Sequence, residues 1–108
     1  MNYRSHGERP NFSVSVPHAL PQQEALRRVQ ARIEQLRIHY GPMITYLGVR
    51  WNSVGCDFSG SGKGMAASGT IYVNESLVVV QGTLPALAML FKGQIELIVR
   101  RDLEAILS

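Results

Sequence analysis

The chain has 108 residues, a net charge of +3 and 45% hydrophobic residues. That size suits one domain with its own core, and the hydrophobic share excludes wholesale disorder. No run reaches the ~18 apolar residues of a membrane span, and a lone Cys56 excludes an intrachain disulfide framework. Met1 to Pro10 is polar, without periodicity or an apolar signal region. The expectation is a flexible tail at residues 1–10 and a single α+β domain at residues 11–108, soluble and cytoplasmic.

In chain order, Asn11 to Pro17 alternates, with Phe12, Val14 and Val16 on one side and Ser13 and Ser15 on the other. This predicts a half-buried strand. A helix follows, with Pro21 at its first position and Glu24 in its first turn. Its apolar stripe is Leu26, Val29, Ile33, Leu36 and Tyr40. Gly41-Pro42 stops it, with Gly41 free to turn left-handed. Met43 to Trp51 reads as a strand with Thr45, Leu47, Val49 and Trp51 on one face and Ile44, Tyr46 and Arg50 on the other. Asn52 to Gly55 is a turn. Cys56 to Ser61 and Ala67 to Val73 are strands hinged at Gly62 to Gly64, with Cys56, Phe58, Ile71 and Val73 inward. After a turn at Asn74 to Ser76, Leu77 to Thr83 is apolar on both faces, which predicts an interior strand or outer cover.

Pro85 to Leu107 reads as a last helix, with Gly93 as a bend. Its stripe is Phe91, Ile95, Ile98 or Val99, Leu103 and Ile106. Lys92, Glu96, Arg100 and Glu104 form a charged line at helical spacing, with Glu96 before Arg100 in the favourable order. The order strand, helix, four antiparallel strands, helix gives a two-layer α+β domain with a meander sheet. Five of the ten glycines fall between Gly55 and Gly69, which suggests a curved, helix-grip-like sheet.

Several chemistries find no support. Ser59 to Gly64 imitates a phosphate loop, but Asp57 stands where the first glycine belongs and Gly64 where Ser or Thr would hold magnesium. His6, His18, His39 and Cys56 lack metal-ligand spacing. No nucleophile, base and orienting group come together, so no catalytic residue, cofactor or metal is assigned and no enzymatic activity is expected. Arg27, Arg28, Arg32 and Arg37 share one segment with Glu24 and Glu34. They read as a solvated helix face rather than a nucleic-acid surface.

Two features remain. Leu84 to Phe91 has no charge across eight residues. The simpler reading starts the last helix inside the fold. The functional reading is an apolar contact surface of Leu87, Met89, Leu90 and Phe91 for a partner, a ligand or a hydrophobic particle. Gly60, Ala67 and Gly69 either admit a closely packed helix or line a cavity for an apolar ligand.

Three stretches carry a family resemblance: Val16-Pro17-His18-Ala19-Leu20, the helix from Gln23-Glu24-Ala25-Leu26-Arg27-Arg28-Val29, and Phe91-Lys92-Gly93-Gln94-Ile95-Glu96 with Ile98, Arg101, Leu103 and Leu107. Over about Phe12 to Leu107 the chain resembles the polyhydroxyalkanoic acid system proteins, small bacterial proteins named for polyester granule gene regions. It differs in the middle, where Asn52-Ser53-Val54-Gly55 replaces an acidic turn. The resemblance implies no catalytic residue. It adds to the apolar run the expectation of a noncatalytic accessory protein, associated with polyester granules or their protein machinery. The alternative is a carrier of a small apolar ligand between sheet and last helix. Self-association through the outer face of the sheet is compatible with both.

Overall fold

A computed structural model describes residues 10–44, 46–62 and 64–108. The expected tail, apart from Pro10, and the placements of Thr45 and Lys63 lie outside the described residues. The elements in order are β1 (Phe12–Pro17), α1 (Gln22–Tyr40), β2 (Tyr46–Asn52), β3 (Gly55–Gly62), β4 (Met65–Val73), β5 (Leu77–Thr83) and α2 (Lys92–Leu107). Short 3-10 turns at Gly41–Met43 and Ala86–Phe91 precede β2 and α2. The five strands form one antiparallel sheet in the order β1-β5-β4-β3-β2. The α+β class, the element order and the meander from β2 to β5 agree with the sequence reading.

Alternation builds the inner face. Phe12, Val14 and Val16 are buried, whereas Ser13 and Ser15 are exposed. Val14 faces Val80, and Val16 faces Val78. Val80 and Val78 in turn face Ile71 and Val73 on β4, and Ile71 faces Cys56 on β3. Ala25, Leu26 and Val29 of α1 and Leu103 and Leu107 of α2 close this core. β5 lies inside the sheet between β1 and β4; Val78 and Val80 are buried on its inner face, and Leu77 and Val79 are half-buried on its outer face.

Several local expectations are corrected. Pro21 stands one residue before α1 with extended backbone, and its carbonyl accepts the first helical bond from the Ala25 N–H at 3.0 Å. Gly41 keeps right-handed helical angles, so α1 ends by tightening into the 3-10 turn rather than by a left-handed cap. That turn takes Met43, and β2 starts only at Tyr46. α1, at ~1.5 Å per residue, outruns the sheet. Ile33 and Leu36 of its stripe are half-buried, and Tyr40 is exposed.

The last helix is two pieces. Phe91, with φ −116° and ψ 22°, breaks the rod between the 3-10 turn and α2. Gly93 lies inside the first turn of α2 with open space around it and bends nothing. Of the two candidates for the inward stripe, Val99 packs on the core and Ile98 is 66% exposed. Leu103 and Leu107 set that phase, since 99, 103 and 107 recur at one side of a helix. Phe91 is also exposed rather than inward.

Of the small residues lining the sheet, Gly69 has a use other than the expected close helix or cavity, whereas Gly60 and Ala67 line a hollow open to solvent. A side chain at Gly69 would strike the Gln81 carbonyl, the Gly82 backbone and the Phe58 ring. At Gly82 it would strike the Ser68 carbonyl and approach the Phe12 ring. Glycine there lets two aromatic rings lie on the strands. The neighbour that approaches is aromatic, not helical.

Gly69→Ala should therefore lower the unfolding free energy by about 1–3 kcal/mol, because backbone must move. Gly93→Ala meets nothing and should stabilise by about 0.4–1 kcal/mol. Chemical denaturation of the two variants beside the parent chain checks both signs.

Candidate functional site: an exposed apolar surface on the sheet-to-helix connection

The chain leaves β5 under tight local control. The Leu84 N–H donates to Asn11 Oδ1 at 2.7 Å, and Asn11 Nδ2 donates to the Leu84 carbonyl at 3.0 Å. One side chain thus satisfies both backbone groups of Leu84. Pro85 then supplies an extended φ of −66°, and its carbonyl accepts from the N–H groups of Ala88 and Met89. These bonds start the 3-10 turn Ala86–Phe91.

With about three residues per turn, positions three apart eclipse. Leu87 and Leu90 therefore share a side, and both point to solvent, at 68% and 77% exposed. Phe91 beside them is 56% exposed, and Met89 is half-buried. The helical repeat carries the surface forward from Leu90 through exposed Gln94 to exposed Leu97 and Ile98. The structure brings Leu87, Leu90 and Phe91 together at the surface and tucks Met89 partly beneath. The reading that placed this run inside the fold is corrected. Sequence reasoning did not single out Leu97, and left Ile98 open as a core residue. Once Val99, Leu103 and Leu107 face the core, helical spacing turns both residues outward, but spacing alone did not choose that phase over one through Ile98.

A fixed platform carries this surface. Glu96 accepts the Ser13 N–H at 3.2 Å, and Arg100 donates to the Ser15 carbonyl at 2.9 Å. The two side chains expected to pair along the helix instead reach the open edge of β1. Arg32 pairs with Asp102 at 2.9 Å, and Arg28 donates to the Ile106 carbonyl at 3.0 Å, tying α2 to α1. The last carbonyls of α2 thereby gain a cation, which suits the helix dipole.

The other sequence candidates are engaged structurally. Arg27 and Arg28 share Glu24, Arg37 meets Glu34, and Arg32 meets Asp102. Each of the four arginines thus has an acidic partner. The His18 ring accepts the Leu20 N–H at Nδ1 and donates from Nε2 to the Asn74 carbonyl, which pins the loop. Cys56 is 2% exposed. Burial, with the nearby Asp57 charge second, pushes its thiol up to about 11, so it stays protonated and unreactive at neutral pH. Among the described residues, no three His, Cys, Asp or Glu side chains gather in a metal-binding group, and no helix is long and apolar enough to cross a membrane.

The fold and this surface define a small α+β protein that presents an apolar knuckle from a rigid sheet-and-helix frame. The sequence model of the polyhydroxyalkanoic acid system protein family matches residues 12–107, and the chain belongs to that family. In the other two comparisons, no curated protein and no solved structure matches.

The charge cluster on α1 gives a pH test. Hydrogen bonds from Arg27 first and Arg28 second hold the Glu24 carboxyl down at about 2, from an ordinary value of 4.5. A folded-state value below the unfolded one gives stability that is present above about 4.5 and lost as pH falls toward 2. Carboxyl NMR should place the Glu24 midpoint near 2, and Glu24→Gln should flatten the acid limb of the stability profile in that window. A midpoint at the ordinary value would remove the arginine cluster from the account.

Proposed function

We propose that this chain is a noncatalytic, cytoplasmic accessory protein that engages polyhydroxyalkanoate granules through the apolar surface of Leu87, Leu90 and Phe91. The carrying observation is the exposure of these three large side chains on one short turn whose flanks are held by named hydrogen bonds. An exposed apolar cluster on a fixed frame is the kind of surface that marks contact with another body. Covering a few hundred Å² supplies several kcal/mol at ~25 cal/mol per Å², before association costs. Family membership supplies the context of a polyester system.

The surface reading has more support than the carrier reading. The core between sheet and helices is filled by Val14, Val16, Val78, Leu103 and Leu107. Among the described residues, one open hollow lies on α1 beside Glu24 and Arg27, and another lies between the sheet and the start of the last connection, lined by Tyr46, Gly60, Ala67, Leu84 and Pro85. Two of the small residues named for a cavity thus line a hollow, but one open to solvent rather than enclosed against α2.

Co-sedimentation with purified polyester granules tests the proposal. Leu90 is exposed, so Leu90→Asp should change stability by no more than about 0.5 kcal/mol. It should weaken granule binding at least about tenfold, a loss of ~1.4 kcal/mol. Ile38→Asp, at an equally exposed position on the overhang of α1, should bind as the parent chain does. Equal losses in both variants would mean unspecific adsorption. Parent-like binding by a folded Leu90→Asp would overturn the site.

A further inference from the structure

The two edges of the sheet are treated differently. In an antiparallel sheet, alternate residues of an edge strand turn both backbone groups outward. β1 pairs with β5 through Phe12, Val14 and Val16, so Ser13 and Ser15 face out. Those are the residues whose backbone groups Glu96 and Arg100 occupy. One edge is therefore closed from within the chain.

The other edge is β2. Its two-residue hairpin at Ser53 and Val54 joins Asn52 to Gly55. A turn of that length makes its closing pair hydrogen-bonded, so Asn52, Arg50, Gly48 and Tyr46 bond to β3. Leu47, Val49 and Trp51 then turn their N–H and C=O groups to the open edge. Their side chains lie on the inner face, and all three are only half-buried. The strand carries no proline and one charged residue, Arg50, over seven residues, with unbroken register to β3. Devices that ordinarily blunt an edge (proline, lysine or a bulge) are missing from it.

We infer that β2 pairs antiparallel with β2 of a second copy about a two-fold axis at Val49, joining two sheets into one of ten strands. The sequence of the strand is complementary to itself in that register. Val49 meets Val49 of the second copy and Leu47 meets its Trp51, so one apolar row completes the other. The outward backbone groups of these three residues exchange six hydrogen bonds across the axis. On the opposite face Arg50 meets Gly48, not another Arg50, so no like charges oppose one another. The Tyr46 ring already lies over Gly48. The incoming guanidinium thus comes beside an aromatic face. A strand seam alone is small against the ~1,200 Å² or more that stable interfaces bury. Tyr40 and Met43, exposed on the approach to β2, and exposed Tyr46 at its start provide further apolar area. Such an interface is isologous and closes at two copies. It does not depend on the granule reading, since it uses the opposite edge from α2.

Sedimentation of the purified chain over a wide concentration range, with the emission of Trp51, the single tryptophan, tests this. The expected result is twice the 12.0 kDa chain mass, with Trp51 emission moving to the blue as copies pair. Val49→Lys and Val49→Glu should each be monomeric when alone, because like charges meet on the axis. Mixed together they should regain the dimer mass and the blue-shifted emission. Val49→Pro removes an N–H that faces the open edge, and should also be monomeric while keeping the far-ultraviolet circular dichroism of the fold. The mixing arm needs no proline, so it decides the matter even if that variant unfolds. A parent chain of single mass at all concentrations overturns the inference. So does a dimer that survives Val49→Lys and Val49→Glu separately, which would place the interface on another surface.

Discussion

The arrangement depends on how α2 is seated along β1. Two carboxylate and guanidinium side chains, Glu96 and Arg100, bind the outward backbone groups of Ser13 and Ser15. Those groups would otherwise sit unpaired on a sheet edge. With α2 fixed there, Val99, Leu103 and Leu107 turn onto the core, and the opposite side of the helix must face solvent. The connection from β5 then has to reach the start of α2 from outside the sheet. Asn11 and Pro85 steer it, and the turn between them and α2 carries Leu87, Leu90 and Phe91 outward. The candidate surface is a geometric consequence of sealing one edge.

The same seating leaves the sheet unevenly covered. Two helices serve five strands, and the buried residues concentrate on β1, β5 and β4, where Val14, Val16, Val73, Val78 and Val80 meet α1 and α2. Toward β2 the inner face becomes half-exposed at Leu47, Val49 and Trp51, while α1 extends past the sheet with Ile38 and Tyr40 in solvent. A chain of this length has enough apolar residues for more surface than its own helices cover. That leaves an apolar turn after β5 and an open edge at β2.

Much of this was legible in the residues. Period-two alternation at Phe12, Val14 and Val16 gave β1 with its inward face, and the doubly apolar Leu77 to Val80 gave an interior strand. Turn residues placed the hairpins near Asn52 to Gly55 and Asn74 to Ser76. Periodicity on one helix could not choose between Ile98 and Val99, because the choice depends on which neighbour the helix meets. Nor could spacing show that Glu96 and Arg100 bond to β1 rather than to each other, since that contact joins residues over 80 positions apart. The uncharged run Leu84 to Phe91 had the same ambiguity. Local composition suits a buried helix start and an exposed apolar turn equally. The clamp from Asn11, 73 positions away, decides it.

Residue-resolved amide hydrogen exchange tests the seating of α2 most directly. The account predicts that the Ser13 amide is protected in the parent chain, although it faces out of the sheet. In Glu96→Ala that protection should be lost, while the amide of Val80 inside the sheet stays protected. A Ser13 amide that exchanges as a free edge amide in the parent chain would contradict the account. α2 would then not seal β1, and the outward position of Leu87, Leu90 and Phe91 would lose its cause.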